Sequence, residues 1–374
     1  MQPAAKMQIV AIDLLRFGCA ALVMLYHFAP LASFHGTAGA LSTEAPLWFG
    51  WIGVQLFFVI SGYVIACSAV DADAGSFLRR RILRLAPAAW FCASFTAVVL
   101  LMTGAVPAMT VGIRWLEALS FWPTTWPIDG SYWTLSVELA FYLLVAGVLR
   151  LAGGSPRRIE GVGIVLGAAS LALWAAAFAS GTPTVPILAS LPLRVSQLPY
   201  GAFFSLGISL WAIRPSGATL RRFVFASLVS VGCLAEISVD VARSASEHGG
   251  VPYQWVPYAI FAGGVAMIAG AGWLQPGIAR LGETRLATIG RMTYPLYLLH
   301  HVAGLGLILF LIAAGVSSGV AVALISVLML ALSWYVTVRL EPRLRRVMAA
   351  WIDSLSRRHG PGRDSRRSAS LPIG

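Results

Sequence analysis

The side chains able to do chemistry are few, and they stand in apolar surroundings. Arg16 and His27 lie in the first apolar run, IDLLRFGCAALVMLYHF. On a helix their eleven-residue separation is about three turns, about 16 Å, which puts both on nearly one face. A histidine so placed is a candidate for catalytic proton transfer. Asp13 is spaced to pair with Arg16; for His27 the plain alternative is a hydrogen-bonded structural role. Arg81 and Arg84, one turn apart in FLRRRILRLAPAAW, can grip phosphate oxygens with their guanidinium forks, or simply anchor a loop at the membrane surface. Glu138 sits in WTLSVELAFY with Thr134 one turn away, and a buried carboxylate needs a partner or a proton. Tyr297, His300 and His301 share one face of YPLYLLHH, where a structural role is equally open. Trp133 closes FWPTTWPIDGSYW, residues 121 to 133, whose aromatics suit either an interfacial belt or a lip for sugar or lipid.

The elements that must position these groups are membrane spans. The 374-residue chain is 58% hydrophobic and 11% charged, with a mean hydropathy of +0.79, whereas a soluble domain carries roughly a quarter charged residues. Apolar stretches of about 20 residues, the length of a spanning helix, recur without a polar gap of domain length. They predict an all-α polytopic transmembrane bundle of about ten spans, near 9–29, 49–69, 87–105, 131–150, 161–180, 198–213, 223–241, 254–274, 292–314 and 319–338. No small-residue cleavage site closes the first run, so it reads as a retained span. Ionisable groups inside such spans cost roughly 2.5 to 3.5 kcal/mol on insertion scales and mark function by default.

Ten spans divide the loops into two sets. Of the 27 Lys and Arg residues, Arg114, Arg194 and Arg243 fall in one set and Arg16 inside the first span; all others, from Lys6 to Arg367, fall in the other. The positive-inside rule then makes both termini cytoplasmic. The net charge of +12 is explained by arginines facing an anionic leaflet of the lipid bilayer, and no nucleic-acid partner is needed. The membrane domain is expected over 1–342 and a basic, disordered cytoplasmic tail over 343–374. Cys19, Cys67, Cys92 and Cys233 each stand in an apolar stretch without metal-ligand spacing, so no metal is expected.

In order along the chain, these segments resemble the membrane acyltransferase-3 family, integral-membrane O-acyltransferases of bacterial polysaccharides, lipopolysaccharide, Nod factors and macrolides. The first-span Arg16 and His27, GVQLFFVISGYVI in the second, RILR before Pro87, SYWTLSVELAFYLL and TYPLYLLHH carry the likeness, which covers residues 9 to 342. Gln55 departs from it, standing where many relatives have an acid. No SGNH-type domain follows the last span, which leaves the acceptor to the membrane domain or to a separate extracytoplasmic partner.

The resemblance implies a protein of the bacterial inner membrane using an acyl-CoA donor, usually acetyl-CoA, and a carbohydrate or glycoconjugate hydroxyl as acceptor. It implies His27 as catalytic base or acyl carrier, with Glu138 orienting it or balancing its charge. Arg16, Arg81 and Arg84 would hold the donor, and Trp133, Tyr297 and His300 would line the acceptor side. A transporter or flippase is the alternative class for a bundle with intramembrane charges, but no paired broken helices or internal repeat mark it. A membrane scaffold would leave the order of His27, Arg16, Arg81 and Arg84 unexplained.

Overall fold

The computed structural model describes residues 10–32, 47–181, 184–214, 217–279 and 282–359. Lys6, Arg280 and the end of the expected tail, 360–374, lie outside the described residues. Within them the chain is helical: α1 Val10–Ala32, α2 Ile52–Ala69, α3 Ala74–Thr103, α4 Ala108–Leu119, α5 Tyr132–Ala152, α6 Pro156–Ser180, α7 Thr184–Ala189, α8 Leu191–Val195, α9 Gly201–Ile213, α10 Leu220–Glu247, α11 Val256–Ala269, α12 Ala271–Ala279 and α13 Glu283–Leu299. A π-helical turn, His300–Gly304, joins α13 to α14 Leu305–Ala313, and a second, Val336–Leu340, joins α15 Ser318–Tyr335 to α16 Glu341–His359.

Among the described residues eight helical runs, two of them continuing through the π-turns, are long and apolar enough to span a membrane, and α11 with α12, bent by 74°, counts as a ninth when taken as one span. The remaining expected span, 198–213, is the 13-residue α9. At about 1.5 Å per residue it covers about 20 Å, short of a hydrocarbon core of about 30 Å. It is buried among α2, α6 and α10, and because α6 and α10 begin at the same end, where Glu160 meets Arg222 at 2.5 Å, α9 carries the chain back as a short span whose surface is covered by protein. Two glycines allow this. A Cβ on Gly207 would fall on the Val59 carbonyl, and one on Gly62 on the Phe204 carbonyl, so α2 and α9 approach with backbones nearly touching, the small-residue packing of membrane helices.

The arginine-rich end also corrects the expected tail. Residues 343 to 359 are helical, within the amphipathic α16, which returns to α3 through an Arg79–Asp353 pair at 2.9 Å. At the start of α3, Asp73 accepts the Ser76 amide hydrogen at 2.8 Å as an N-cap; Pro87 lies inside that helix, tolerated as neighbouring helices commonly allow in membrane spans.

Two inner helices set the site. α1 and α13 run side by side in the same direction. At one end a Cβ on Gly290 would meet Asp13, and at the other Gly304 lies under the Phe28 ring. This register carries His27 on α1 to the level of His300, where α13 ends.

Candidate active site

His27, His300 and His301 meet at the end of the bundle opposite the arginine-rich loops. His27 Nδ1 is 3.0 Å from both the Val23 carbonyl and His300 Nε2. His300 Nδ1 is 3.1 Å from the Leu296 carbonyl, and the residue is fully buried. Carbonyls only accept, so His300 carries its hydrogen on Nδ1 and offers the Nε2 lone pair. His27 Nδ1 therefore faces two acceptors and must donate, which leaves Nε2 of a neutral His27 as a free lone pair. The tautomers follow from the hydrogen-bond network. The π-turn adds His301, whose ring centroid lies 4.2 Å from that of His27; π-turns inside helices are often found at functional sites.

Behind His301 stands Asp129, fully buried in the loop between α4 and α5. One of its oxygens accepts from the Ser131 amide at 2.9 Å and the Ser131 hydroxyl at 2.6 Å. The other accepts from the Val302 amide at 2.8 Å, pinning the π-turn, and His301 Nδ1 lies 3.6 Å from the carboxylate. Burial pushes the carboxyl upward, but the His301 imidazole and the Ser131 hydrogen bonds outweigh it and hold Asp129 below the usual carboxylate range. Gly130 is required for space: a Cβ there would fall on the His301 ring.

His27, His300 and His301 open onto a cavity of about 240 Å³ that Trp133, Tyr297, Gln55, Asp240, Arg194 and Arg243 also line. Trp133 packs against Phe58 and Tyr200, while Trp122 and Trp126 are exposed. The two readings of the aromatic loop thus divide between residues, with the cavity claiming Trp133 alone.

Glu138 is elsewhere. It does not orient His27 as the resemblance implies: its carboxylate accepts from Ser61 at 3.0 Å and from Tyr142, and no described hydrogen bond joins it to the histidines. Together with Arg16 it lines two narrower cavities. The first, about 50 Å³, is bounded also by Thr134 and Tyr297. The second, about 10 Å³, is bounded by Arg81, Arg84 and Tyr142. Arg81 is buried, bonded to Ser68, with its guanidinium over the Phe77 and Tyr142 rings at 5.2 and 5.5 Å; Arg84 is half-buried.

Shared walls connect these spaces. Arg16, Ser61 and Glu138 bound both narrow cavities, and Val54 and Tyr297 bound the middle and the wide one. Tyr297, whose hydroxyl meets Thr134 at 3.2 Å, is the partition between them. A path of adjoining cavities therefore leads from Arg81 and Arg84 to His27, its narrow part mostly apolar and set with Arg16, Ser61, Thr134 and Glu138. At 10 to 50 Å³ its narrow part has room for one or a few waters, a single water needing at least about 10 to 15 Å³.

Arg16, His27, Arg81, Arg84, Glu138, Trp133, Tyr297 and His300 all line this path. Sequence reasoning missed the importance of Asp129, Asp240 and Arg194. The signal for Asp129 was IDGS, a turn-forming sequence in which an Asp side chain caps the residue two ahead, but its burial comes from packing under the π-turn.

The sequence profile of the acyltransferase domain that defines the acyltransferase-3 family matches residues 9–338. Nodulation protein 10 of Rhizobium leguminosarum bv. viciae is 30% identical over 153 residues, 34% of this chain and 40% of its own length. Exopolysaccharide production protein ExoZ of Rhizobium meliloti (strain 1021) is 29% identical over 136 residues, 34% of this chain and 39% of its own length. The match to this chain spans about two fifths of each of these relatives. No solved structure matches it. The profile match extends from the first residues of α1 to the turn after α15 and takes in every candidate group lining these cavities: the chain belongs to the acyltransferase-3 family.

Proposed function

We propose that this chain is a membrane O-acyltransferase that moves an acyl group, acetyl in the simplest case, from acyl-CoA on the cytoplasmic, arginine-rich face to a carbohydrate hydroxyl on the other. The observation that carries the reading is the row of adjoining cavities from Arg81 and Arg84 to the one that His27 lines. The CoA nucleotide is a phosphate polyanion and stays at the arginines, with Arg16 further along the wall. The neutral pantetheine arm enters the bundle, widening the narrow cavities beside Tyr297 and Ser61.

In the reaction, the acceptor oxygen attacks the thioester carbonyl as His27 Nε2 takes the hydroxyl proton. The C–O bond forms, the C–S bond breaks, and the proton passes from the imidazolium to the CoA thiolate, giving free thiol. Asp129 and His301 keep a negative charge near the imidazolium while it exists, and His300 fixes the tautomer. Glu138 serves the donor path: it lines the narrow cavities with Arg16 and holds the hydroxyl of Tyr142, whose ring lies under Arg81. The names of the two relatives, one of nodulation and one of exopolysaccharide production, support a glycan acceptor, and the lipid setting supports residence in the bacterial inner membrane.

Purified protein given acetyl-CoA labelled in the acetyl group and a panel of glycans tests the reading. Label appearing in one glycan with an equal amount of free CoA thiol is expected. Glycan movement across vesicles without thiol release would replace it with the transporter reading. Within the site, Gly130→Ala is expected to cut turnover roughly 10- to 100-fold by displacing His301, since misplacement of about 1 Å can cost that much, while leaving donor affinity at the wild-type value. Unaltered turnover would remove His301 from the reaction.

A further inference from the structure

The wall of the wide cavity away from the histidines has unmet hydrogen bonds. Trp51 and Gln55 stand one turn apart at the start of α2, 6% and 5% exposed, and both line the cavity. Gln55 Nε2 donates to an Asp240 carboxylate oxygen at 2.8 Å, which fixes the amide orientation, because a carboxylate accepts only. Among the described residues that leaves Gln55 Oε1 as an acceptor without a partner, and Trp51 Nε1 as a donor without one. A buried polar atom left unpaired costs roughly 1 to 3 kcal/mol. A hydroxyl, which donates one hydrogen bond and accepts others, has the donor for Gln55 Oε1 and the acceptor for Trp51 Nε1.

The charges on this wall do not cancel. Asp240 is neutralised by Arg243 at 2.8 Å. Arg194, from the short α8, has no ion pair among the described residues. Its guanidinium is held over the Trp133 ring at 5.0 Å, with Nε turned to the Leu188 carbonyl. The terminal nitrogens are uncommitted, and the residue lines the cavity. With the histidines neutral, the wall carries one excess positive charge opposite the base.

We propose that this wall is the acceptor subsite and that its ligand is an acidic sugar. Trp51 and Gln55 hold one ring hydroxyl, and Arg194 binds a carboxylate or phosphate on the same or the adjoining residue, so that another hydroxyl faces His27 Nε2. The inference rests on the acyltransferase reading for the role of His27, but not for binding itself. Carboxylate and phosphate offer Arg194 the same bidentate geometry.

The test uses two probe pairs with the full-length protein in detergent: a glucuronate-containing oligosaccharide against its carboxyl-reduced counterpart, and a sugar phosphate against the free sugar. Binding is read from intrinsic tryptophan fluorescence without donor, and KM and kcat with acetyl-CoA. The acidic member of at least one pair is expected to bind roughly tenfold or more tightly, the scale of one charge-assisted hydrogen bond; which pair responds identifies the anion. Arg194→Gln should bring that ratio close to one. Arg114→Gln, on the same end of the bundle but outside the cavity, should leave it unchanged. Trp51→Phe, which keeps an aromatic ring and removes the donor, should weaken both members equally, by roughly two- to tenfold. Equal affinity within both pairs, or a preference that survives Arg194→Gln, overturns the proposal. Transfer to neutral and acidic glycans alike would leave the acyltransferase reading standing, whereas acidic probes that bind through Arg194 but receive no acyl group would leave the subsite standing and remove the reaction.

Discussion

His27→Ala is expected to lower acyl transfer by roughly 10²- to 10⁴-fold, the usual contribution of a general base, with protein abundance and helix content unchanged. Its ring donates from Nδ1 to the fully buried His300, so alanine also leaves an unpaired acceptor worth roughly 1 to 3 kcal/mol. His27→Gln separates the two effects, because the amide can still donate to His300 but supplies no base. Both variants should be equally inactive, and only the alanine should melt lower. Transfer surviving in either, at normal abundance, would exclude His27 as base and as acyl carrier. The two roles part in one further measurement. Incubation with labelled acyl-CoA and no acceptor leaves label on the wild-type protein if His27 is acylated, and none if it only moves a proton.

The second large effect belongs to the donor. Arg81→Ala combined with Arg84→Ala is expected to weaken CoA binding roughly hundredfold, about tenfold for each charge-assisted hydrogen bond to phosphate that is removed. Titration of purified protein with CoA checks it. Arg81 also rests on Phe77 and Tyr142, so its removal costs packing, and the half-buried Arg84 is the cleaner single site. Arg80→Ala, beside them at the start of α3, serves as control and should bind as the wild type. Unchanged affinity in the double variant would return both arginines to anchoring the loop at the membrane.

Much of this site is legible in the sequence, because a charged or hydrogen-bonding side chain in a lipid-length apolar run has few ways to be stable. Arg16, His27, Glu138, Tyr297 and His300 announce themselves that way, and all of them line one path. Lateral position is what the sequence does not supply. Depth along a helix follows from the 1.5 Å rise, but which helix faces which depends on packing. Glu138 turns to Ser61 and Tyr142, and the carboxylate beside the histidines comes from a loop, as Asp129. Hydropathy likewise cannot tell lipid from protein interior, so it does not register that α9 crosses as a short helix surrounded by others. Basic residues after 343 read as a tail because composition does not register that α16 can lay an apolar stripe along the bundle while Asp353 meets Arg79.

If donor and acceptor meet through the bundle from opposite faces, at His27, then sidedness is the property to measure, and reconstitution into sealed vesicles measures it most directly. Acetyl-CoA is enclosed with the glycan outside in one preparation, and both are placed outside, with the lumen empty, in the other. Acetylated glycan should form in the first and not in the second, and His27→Ala should give none in either. Product appearing only when donor and acceptor share one side would contradict the path from Arg81 and Arg84 to His27.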